Sequence, residues 1–331
     1  MPNVEGGRAA QKVARATSPA AVCSGDSPEH LGESPNETRQ ARRLPHSAAP
    51  APAQPFDSAS FGDVGKLSFH EERKGIFLCE GDSLAVLDRI IERHPDGVFD
   101  AIFADPPYFL SNGGMTCKNG RRAKVDKGAW DESHGAERDH EFNREWLRRC
   151  QRALKPDGTL WVSGTQHVIF SVGFALQQLG FKLLNNIAWE KPNPPPNLSC
   201  RYFTHSTETI LWAAKGERSK HAFNYAAMRE ANGGRQMKSV WRIKAPSSAE
   251  KTHGRHPTQK PLELVERCLL ASTNPGDLVF DPFLGSGTTG VAAARLGRRF
   301  VGIEMDAGIL ETARKRVMDE INETGFRFPR A

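Results

Sequence analysis

No stretch of the chain approaches the length of a membrane-crossing helix, and no continuous apolar segment follows the early basic residues Arg8, Lys12 and Arg15, among which Glu5 lies. A membrane protein and a secretory leader are therefore not expected. Cysteine is sparse: Cys23, Cys79, Cys117, Cys150, Cys200 and Cys268 are scattered, without the paired spacing of a metal site. No metal ligand set is expected, and reduced thiols in a cytoplasmic protein are the plain inference. Residues 1 to about 60 are almost devoid of aromatic side chains and show no periodicity, while Ala, Pro and Ser abound. Such a segment buries too little apolar surface to offset the entropy of ordering, so a disordered tail is expected there. The remaining residues, 61–331, suffice for one large α/β domain with an inserted segment.

What is present begins with Phe99-Asp100-Ala101-Ile102-Phe103-Ala104, a run with the composition of a buried parallel strand, followed by Asp105-Pro106-Pro107-Tyr108. Open α/β sheets place ligands where strands end. Two prolines stiffen the chain and remove two N–H donors, leaving the Pro106 carbonyl as an acceptor beside the Asp105 carboxylate. Two acceptors next to an aromatic plate suit an exocyclic amino group on a flat heterocycle, with Tyr108 stacked on its ring. A strand end with simple packing of Tyr108 is the plainer alternative.

Upstream, Gly75–Asp82 reads as a strand ending at an acid, and a helix is expected over Ser83–Arg93 with Leu84, Leu87, Ile90 and Ile91 on its apolar face. With the next strand this forms a β-α-β unit, hence a parallel sheet. Phe109 to about Gly135 reads as a long loop, a lid over the site, with Trp130 and Asp131 near its end. A helix over Asp139–Leu154, a turn at Lys155-Pro156-Asp157-Gly158, a strand at Thr159–Ser163 and a helix over Gln166–Leu179 follow. Phe181–Trp189 and Thr207–Ala214 have strand character and are expected to pair as a hairpin at the sheet edge. Between them, Lys191 to Asn197 is too rich in proline for either regular element.

Net charge is modest, at +6 for the chain, but it is unevenly spread: from Glu190 to Lys260 there are thirteen Lys or Arg against five Asp or Glu. Residues 215–255 show no strong periodicity, and their basic residues alternate with Phe223, Tyr225 and Trp241. Cations for phosphate and planar rings for bases suit nucleic acid. Lys191, Asn193, Asn197, Arg201, Tyr202, Arg235, Lys238 and Arg242 are the candidate contacts, with a merely solvated basic insertion as the alternative.

His256-Pro257-Thr258-Gln259-Lys260-Pro261 introduces an amphipathic helix, Leu262 to about Ser272, with Leu264, Val265, Cys268, Leu269 and Ala271 inward. Lys260 stands at the helix entrance, where a cation opposes the dipole, so it is expected to grip a carboxylate. Leu278–Asp281 reads as a strand, followed by Pro282-Phe283-Leu284-Gly285-Ser286-Gly287-Thr288-Thr289-Gly290 and a helix over Thr288–Leu296. A last strand, Arg298–Ile303, ends at Glu304, where an acid is the usual acceptor for a ribose hydroxyl. The glycine pattern alone also fits a nicotinamide dehydrogenase. Asp281 beside the loop argues against a pyrophosphate and for the sulfonium and ammonium of S-adenosylmethionine.

With both motifs in place, Gly75 to Asn322 resembles the amino-methylating DNA methyltransferases of the β order, in which Asp-Pro-Pro-Tyr comes first, a recognition segment next and the glycine-rich motif last. Phe103–Gly114 and Asn193–Trp212 are most similar to accessory GATC adenine methylases of restriction–modification systems, enzymes active also on single strands. The resemblance implies a Rossmann-like, circularly permuted methyltransferase sheet with a target-recognition segment at about 190–255. It implies a catalytic tetrapeptide, Asp105, Pro106, Pro107 and Tyr108, in which Asp105 and Pro106 bind the target amine and Tyr108 stacks on the flipped base. It implies a cofactor, S-adenosylmethionine, held by Phe283, Gly285, Ser286, Gly287, Thr288 and Thr289 at its methionine end, near Asp281. Glu304 would take the ribose, Asp82 the adenine amine and Lys260 the carboxylate. The partner implied is DNA in the bacterial cytoplasm; a homodimer is admitted but not required. Adenine N6 is favoured over cytosine N4, whose enzymes usually carry serine in the first motif position. RNA or protein-glutamine methylation and a non-catalytic DNA-binding protein remain open at this point.

Overall fold

In the computed structural model, residues 55–71, 74–111, 115–118, 121–124, 131–251, 253–254 and 258–324 are described, with the side chains of 115–118 and 121–124 left aside. The chain divides into Met1–Ala51 and Pro52–Ala331, and the second unit carries the fold. Most of the expected tail, with Cys23, Trp130 and the His256-Pro257 pair, lies outside the described residues.

The sheet follows from buried apolar runs: β2 (Ile76–Glu80), β3 (Phe99–Ala104), β10 (Leu278–Asp281) and β11 (Arg299–Glu304) are buried along almost their whole length. That pattern belongs to parallel strands covered on both faces. With β1 (Lys66–Glu71), β6 (Leu154–Gly164), β7 (Lys182–Glu190), β8 (Thr207–Ala214) and β9 (Val240–Arg242) they make a nine-stranded sheet ordered β1-β2-β11-β10-β3-β6-β8-β7-β9. The block from β2 to β6 is parallel, and β8 turns antiparallel to β6. The carboxyl ends of β2, β11, β10, β3 and β6 therefore share one edge.

One face is packed by α1 (Ser83–Arg93), α2 (Ala136–Ala153) and α3 (Ile169–Gln178), with Val86, Leu87, Trp146, Leu147 and Val172 in its core. Phe99 and Phe280 stack there at 4.5 Å. The other face takes α5 (Leu262–Ser272), α6 (Thr288–Arg295) and α7 (Ala307–Thr324). All five inward positions expected on α5 are buried.

Several expectations are corrected. Folded chain begins before residue 60: Phe56 and Phe61 are buried against Phe77, and Ser60 bonds His94. Strand β1 pairs antiparallel with β2, although its half-exposed residues carry no buried apolar run. The 109–135 stretch holds a hairpin of its own, β4 (Met115–Lys118) with β5 (Arg121–Lys124). The Lys155–Gly158 turn signal is a register shift inside β6, not a break before it. Helix α3 starts at Ile169, later than read. The β7–β8 hairpin is present, but β9 occupies the edge beyond it, and α4 (Tyr225–Ala231) interrupts the segment read as aperiodic. Trp241, expected among the nucleic-acid aromatics, is a core residue at 5% exposure near the stacked pair Trp161–Trp212.

Candidate active site at the carboxyl edge of the sheet

Asp105 leaves the end of β3 and points into a cluster built from four elements. Its Oδ1 accepts from the Tyr108 hydroxyl at 2.7 Å and from Ser163, near the end of β6, at 2.6 Å. Its Oδ2 accepts from the Lys260 ammonium at 2.5 Å. Glu208, on β8, stands 4.0 Å from that ammonium and accepts from Tyr108 at 3.4 Å. Burial alone would lower the Lys260 pKa, but Asp105 and Glu208 outweigh it and hold the ammonium above the ordinary lysine range. Burial, reinforced by Asp105 and Glu208, pushes the Tyr108 phenol well above its usual value, so the hydroxyl remains a donor.

The turn that presents Asp105 is held by Asp131. Its carboxylate accepts from the backbone N–H of Tyr108, Phe109 and Leu110 at 2.8, 2.9 and 3.1 Å, and from the Ser111 hydroxyl at 3.0 Å. Phe109 sits at φ 58°, a left-handed conformation costly for a bulky residue. The turn needs that clamp. Asp131 is fully buried although it follows a polar segment, and sequence reasoning gave it no role. Ser163, Glu208 and Arg316 were missed likewise, since isolated polar residues in strand and helix patterns carry no local signal.

Across the same edge, the glycine-rich loop after β10 faces Asp105 through a shared cavity of ≈ 500 Å³. Asp82, Asp105, Pro107, Lys260, Asp281, Phe283, Gly285, Ser286, Thr288, Thr289 and Glu304 all line it. Asp281 accepts from Thr289 Oγ1 at 2.6 Å and from Phe283 N–H at 2.9 Å, and burial pushes its pKa up to about 7. Glu304 accepts from the N–H of Gly285 at 2.9 Å and of Asp306 at 3.0 Å, and burial raises its pKa too. Asp82 caps α1 by accepting from Ala85 N–H at 2.9 Å. Phe283 packs edge-on against Trp146. Gly287, at φ 81°, lies so close to Ala313 that an added Cβ would sit 2.9 Å from its Cβ. Arg316 fastens the loop by donating to the Ser286 carbonyl at 2.6 Å and to the Thr288 hydroxyl at 3.2 Å.

The cavity suits S-adenosylmethionine in size and in charge. The Asp281 carboxylate beside the loop fits the sulfonium or ammonium group, and Gln259 Oε1 is a buried acceptor without a partner among the described residues.

Of the expected nucleic-acid contacts, Asn193, Arg201, Tyr202, Arg235, Lys238 and Arg242 are exposed. Lys191, Asn193, Arg201 and Tyr202 follow β7 and Arg242 ends β9, which runs parallel to it, so these project from the edge that carries Asp105. Arg235 and Lys238 precede β9 and lie toward its other end. Asn197 is engaged inside its own loop, donating to the Tyr202 carbonyl at 2.6 Å and accepting from Ser199. Lys191 pairs with Glu208.

Sheet order, glycine loop and acid-lined cavity define an α/β methyltransferase. Residues 99–315 match the model of the N6/N4 family described as DNA methylase, and the chain belongs to that family. It is 53% identical over 258 residues to the type II methyltransferase M2.LlaDCHI of Lactococcus lactis subsp. cremoris, covering 78% of this chain and 94% of that protein. It is 52% identical over 265 residues to the type II methyltransferase M2.DpnII of Streptococcus pneumoniae, covering 80% and 97%. Among solved structures it resembles the M1.HpyAVI–SAM complex, with a TM-score of 0.56 and 30% identity over 72% of this chain and 98% of that one.

Proposed function

We propose that the chain transfers a methyl group to the N6 amine of an adenine extruded from DNA, within GATC, using S-adenosylmethionine. The observation that carries the reading is the single cavity shared by Asp105 and the Gly285 loop. The aspartate at the head of the tetrapeptide and the likeness of Phe103–Gly114 and Asn193–Trp212 to accessory GATC adenine methylases support adenine and GATC.

The N6 lone pair is delocalised into the purine ring, so the amine is a poor nucleophile. Asp105 and the Pro106 carbonyl accept its two hydrogens and favour the tetrahedral nitrogen, whose lone pair is localised. Positive charge that develops there is met by the Asp105 carboxylate, held ready by Tyr108 and Ser163. The cofactor supplies an electrophilic methyl group on a sulfonium. Asp281, Thr288 and Thr289 hold its methionine end, Phe283 packs beside it, and Glu304 and Asp82 bind its ribose and adenine. Extruding the base costs on the order of a few kcal/mol, which stacking on Tyr108 offsets by about 1–3 kcal/mol. Since Tyr108 is only 5% exposed, that stacking requires the chain around it to move aside. Lys191, Asn193, Arg201, Tyr202 and Arg242 meet the DNA.

The test is Asp105→Ala. Transfer of radiolabelled methyl to GATC duplexes should vanish while cofactor binding by calorimetry persists. Near-normal turnover would remove Asp105 from this role. Modified-base sequencing of DNA from a methylase-free host expressing the chain reads the target base and site directly.

A further inference from the structure

The carboxylate of Asp105 is nearly saturated within the protein. A carboxylate offers about four lone-pair sites. Tyr108 and Ser163 take two on Oδ1, and Lys260 takes one on Oδ2. The site that remains for a target amine lies on the same oxygen as a buried ammonium. As the amine gains positive charge, an ammonium fixed there opposes it, and the low dielectric of a buried site strengthens the opposition. Lys260 must therefore give up Oδ2 as the reaction proceeds.

A second carboxylate stands ready for it. Glu208 Oε2 lies 4.0 Å from the Lys260 ammonium, with the side chain of Glu208 only 11% exposed. The partly buried Asp105 already neutralises the buried Lys260, so a second acid at this depth adds a desolvation cost that the pair itself does not require. The other oxygen of Glu208 is held by Lys191, the first residue beyond β7 and the start of the exposed 191–206 loop. Alternating charges thus run from the sheet edge to the loop: Asp105, Lys260, Glu208, Lys191.

We propose that Glu208 is a positioning residue that receives the Lys260 ammonium when Asp105 takes the target amine. Lys191 ties the exchange to the recognition loop: a phosphate that draws Lys191 away leaves Glu208 free to attract Lys260. DNA on the loop thereby releases the acid that holds the base. The inference rests on the reading of Asp105 given above.

The experiment compares wild type, Glu208→Gln and Glu208→Asp in single-turnover methyl transfer from tritiated S-adenosylmethionine to a GATC duplex at saturating concentrations. Dissociation constants for the duplex (anisotropy) and the cofactor (calorimetry) are measured on the same samples. Glu208→Gln should slow transfer about tenfold or more with both dissociation constants within about twofold of wild type, the signature of an interaction made only in the transition state. Glu208→Asp keeps the charge and should recover most of the rate. The proposal is overturned if Glu208→Gln stays within about twofold of wild type, if Glu208→Asp is as slow as Glu208→Gln, or if either dissociation constant carries the loss. A wild-type chain that methylates no DNA would instead bring down the reading of the site, and this proposal with it.

Discussion

Replacing Asp131 by alanine should untie the turn that presents Asp105. The carboxylate takes three successive backbone N–H groups and one hydroxyl, and the Tyr108 N–H among them is buried. Hydrogen bonds to a charged acceptor contribute about 1.5–3 kcal/mol each, and a buried donor left without a partner costs about 1–3 kcal/mol. The contributions are not additive, because water can reach the half-buried Phe109 and Leu110 amides once the carboxylate is gone. Phe109 in its left-handed conformation adds roughly 1–2 kcal/mol that these bonds help to oppose. A net loss of about 3–5 kcal/mol for the turn follows. Asparagine retains a neutral acceptor for part of the set, so Asp131→Asn should lose about 1–2 kcal/mol.

The loss is local, so amide hydrogen exchange is the proper assay rather than a global melt. At about 1.4 kcal/mol per tenfold, the amides of residues 108–110 should exchange roughly a hundred- to several-thousandfold faster in Asp131→Ala. Methyl transfer should fall at least about tenfold, since a displacement of Asp105 by about 1 Å is enough to disrupt orientation. Exchange within about threefold of wild type at those amides would refute the clamp.

Two further outcomes are expected. Asp281 has a folded pKa near 7 against an ordinary value of 3.8, so the folded protein binds more protons than the unfolded chain between these values. This contribution is present at low pH and is lost as pH rises through about 7; at about 1.4 kcal/mol per pH unit it amounts to a few kcal/mol. Asp281→Asn should therefore be more stable than wild type at pH 8 by urea unfolding, and should weaken cofactor binding; equal stability at pH 8 would count against the shift. Affinity for DNA should fall steeply with salt, and replacing Lys191, Arg201 and Arg242 by glutamine should reduce the log–log slope by about 0.9 for each phosphate no longer neutralised. An unchanged slope would move the DNA surface elsewhere.

Much of this site was legible because its parts announce themselves locally. Strand β3 reads as a continuous apolar run, its acid is marked by two prolines, and the glycines of the 285–290 loop are required by backbone geometry: Gly285 and Gly287 both have positive φ. Helix α5 shows its buried face as a periodic pattern. The missed residues act across long sequence distances: Glu208 meets Tyr108 from 100 positions away, and Ser163 meets Asp105 from 58. Nothing local marks such a pair. Trp241 was misread for a related reason, because an aromatic among basic residues looks the same in sequence whether it faces solvent or packs near Trp161 and Trp212.

The glycine-rich loop is the point at which sequence pattern and chemistry part. In a dinucleotide-binding sheet, the free N–H groups of such a loop and the positive end of the following helix receive a pyrophosphate. Here the Gly285 N–H is already bonded to Glu304, and the Phe283 N–H to Asp281. Two donors that could meet an anion are thus spent on the protein's own carboxylates, which bring negative charge to the place where phosphate would lie. A diphosphate would have to displace those acids and be buried beside them, and the low dielectric makes that repulsion severe. A sulfonium cation meets the reverse situation. The same glycines that would cradle phosphate instead let two acids approach the backbone, and the loop becomes a cation site facing Asp105 across the cavity.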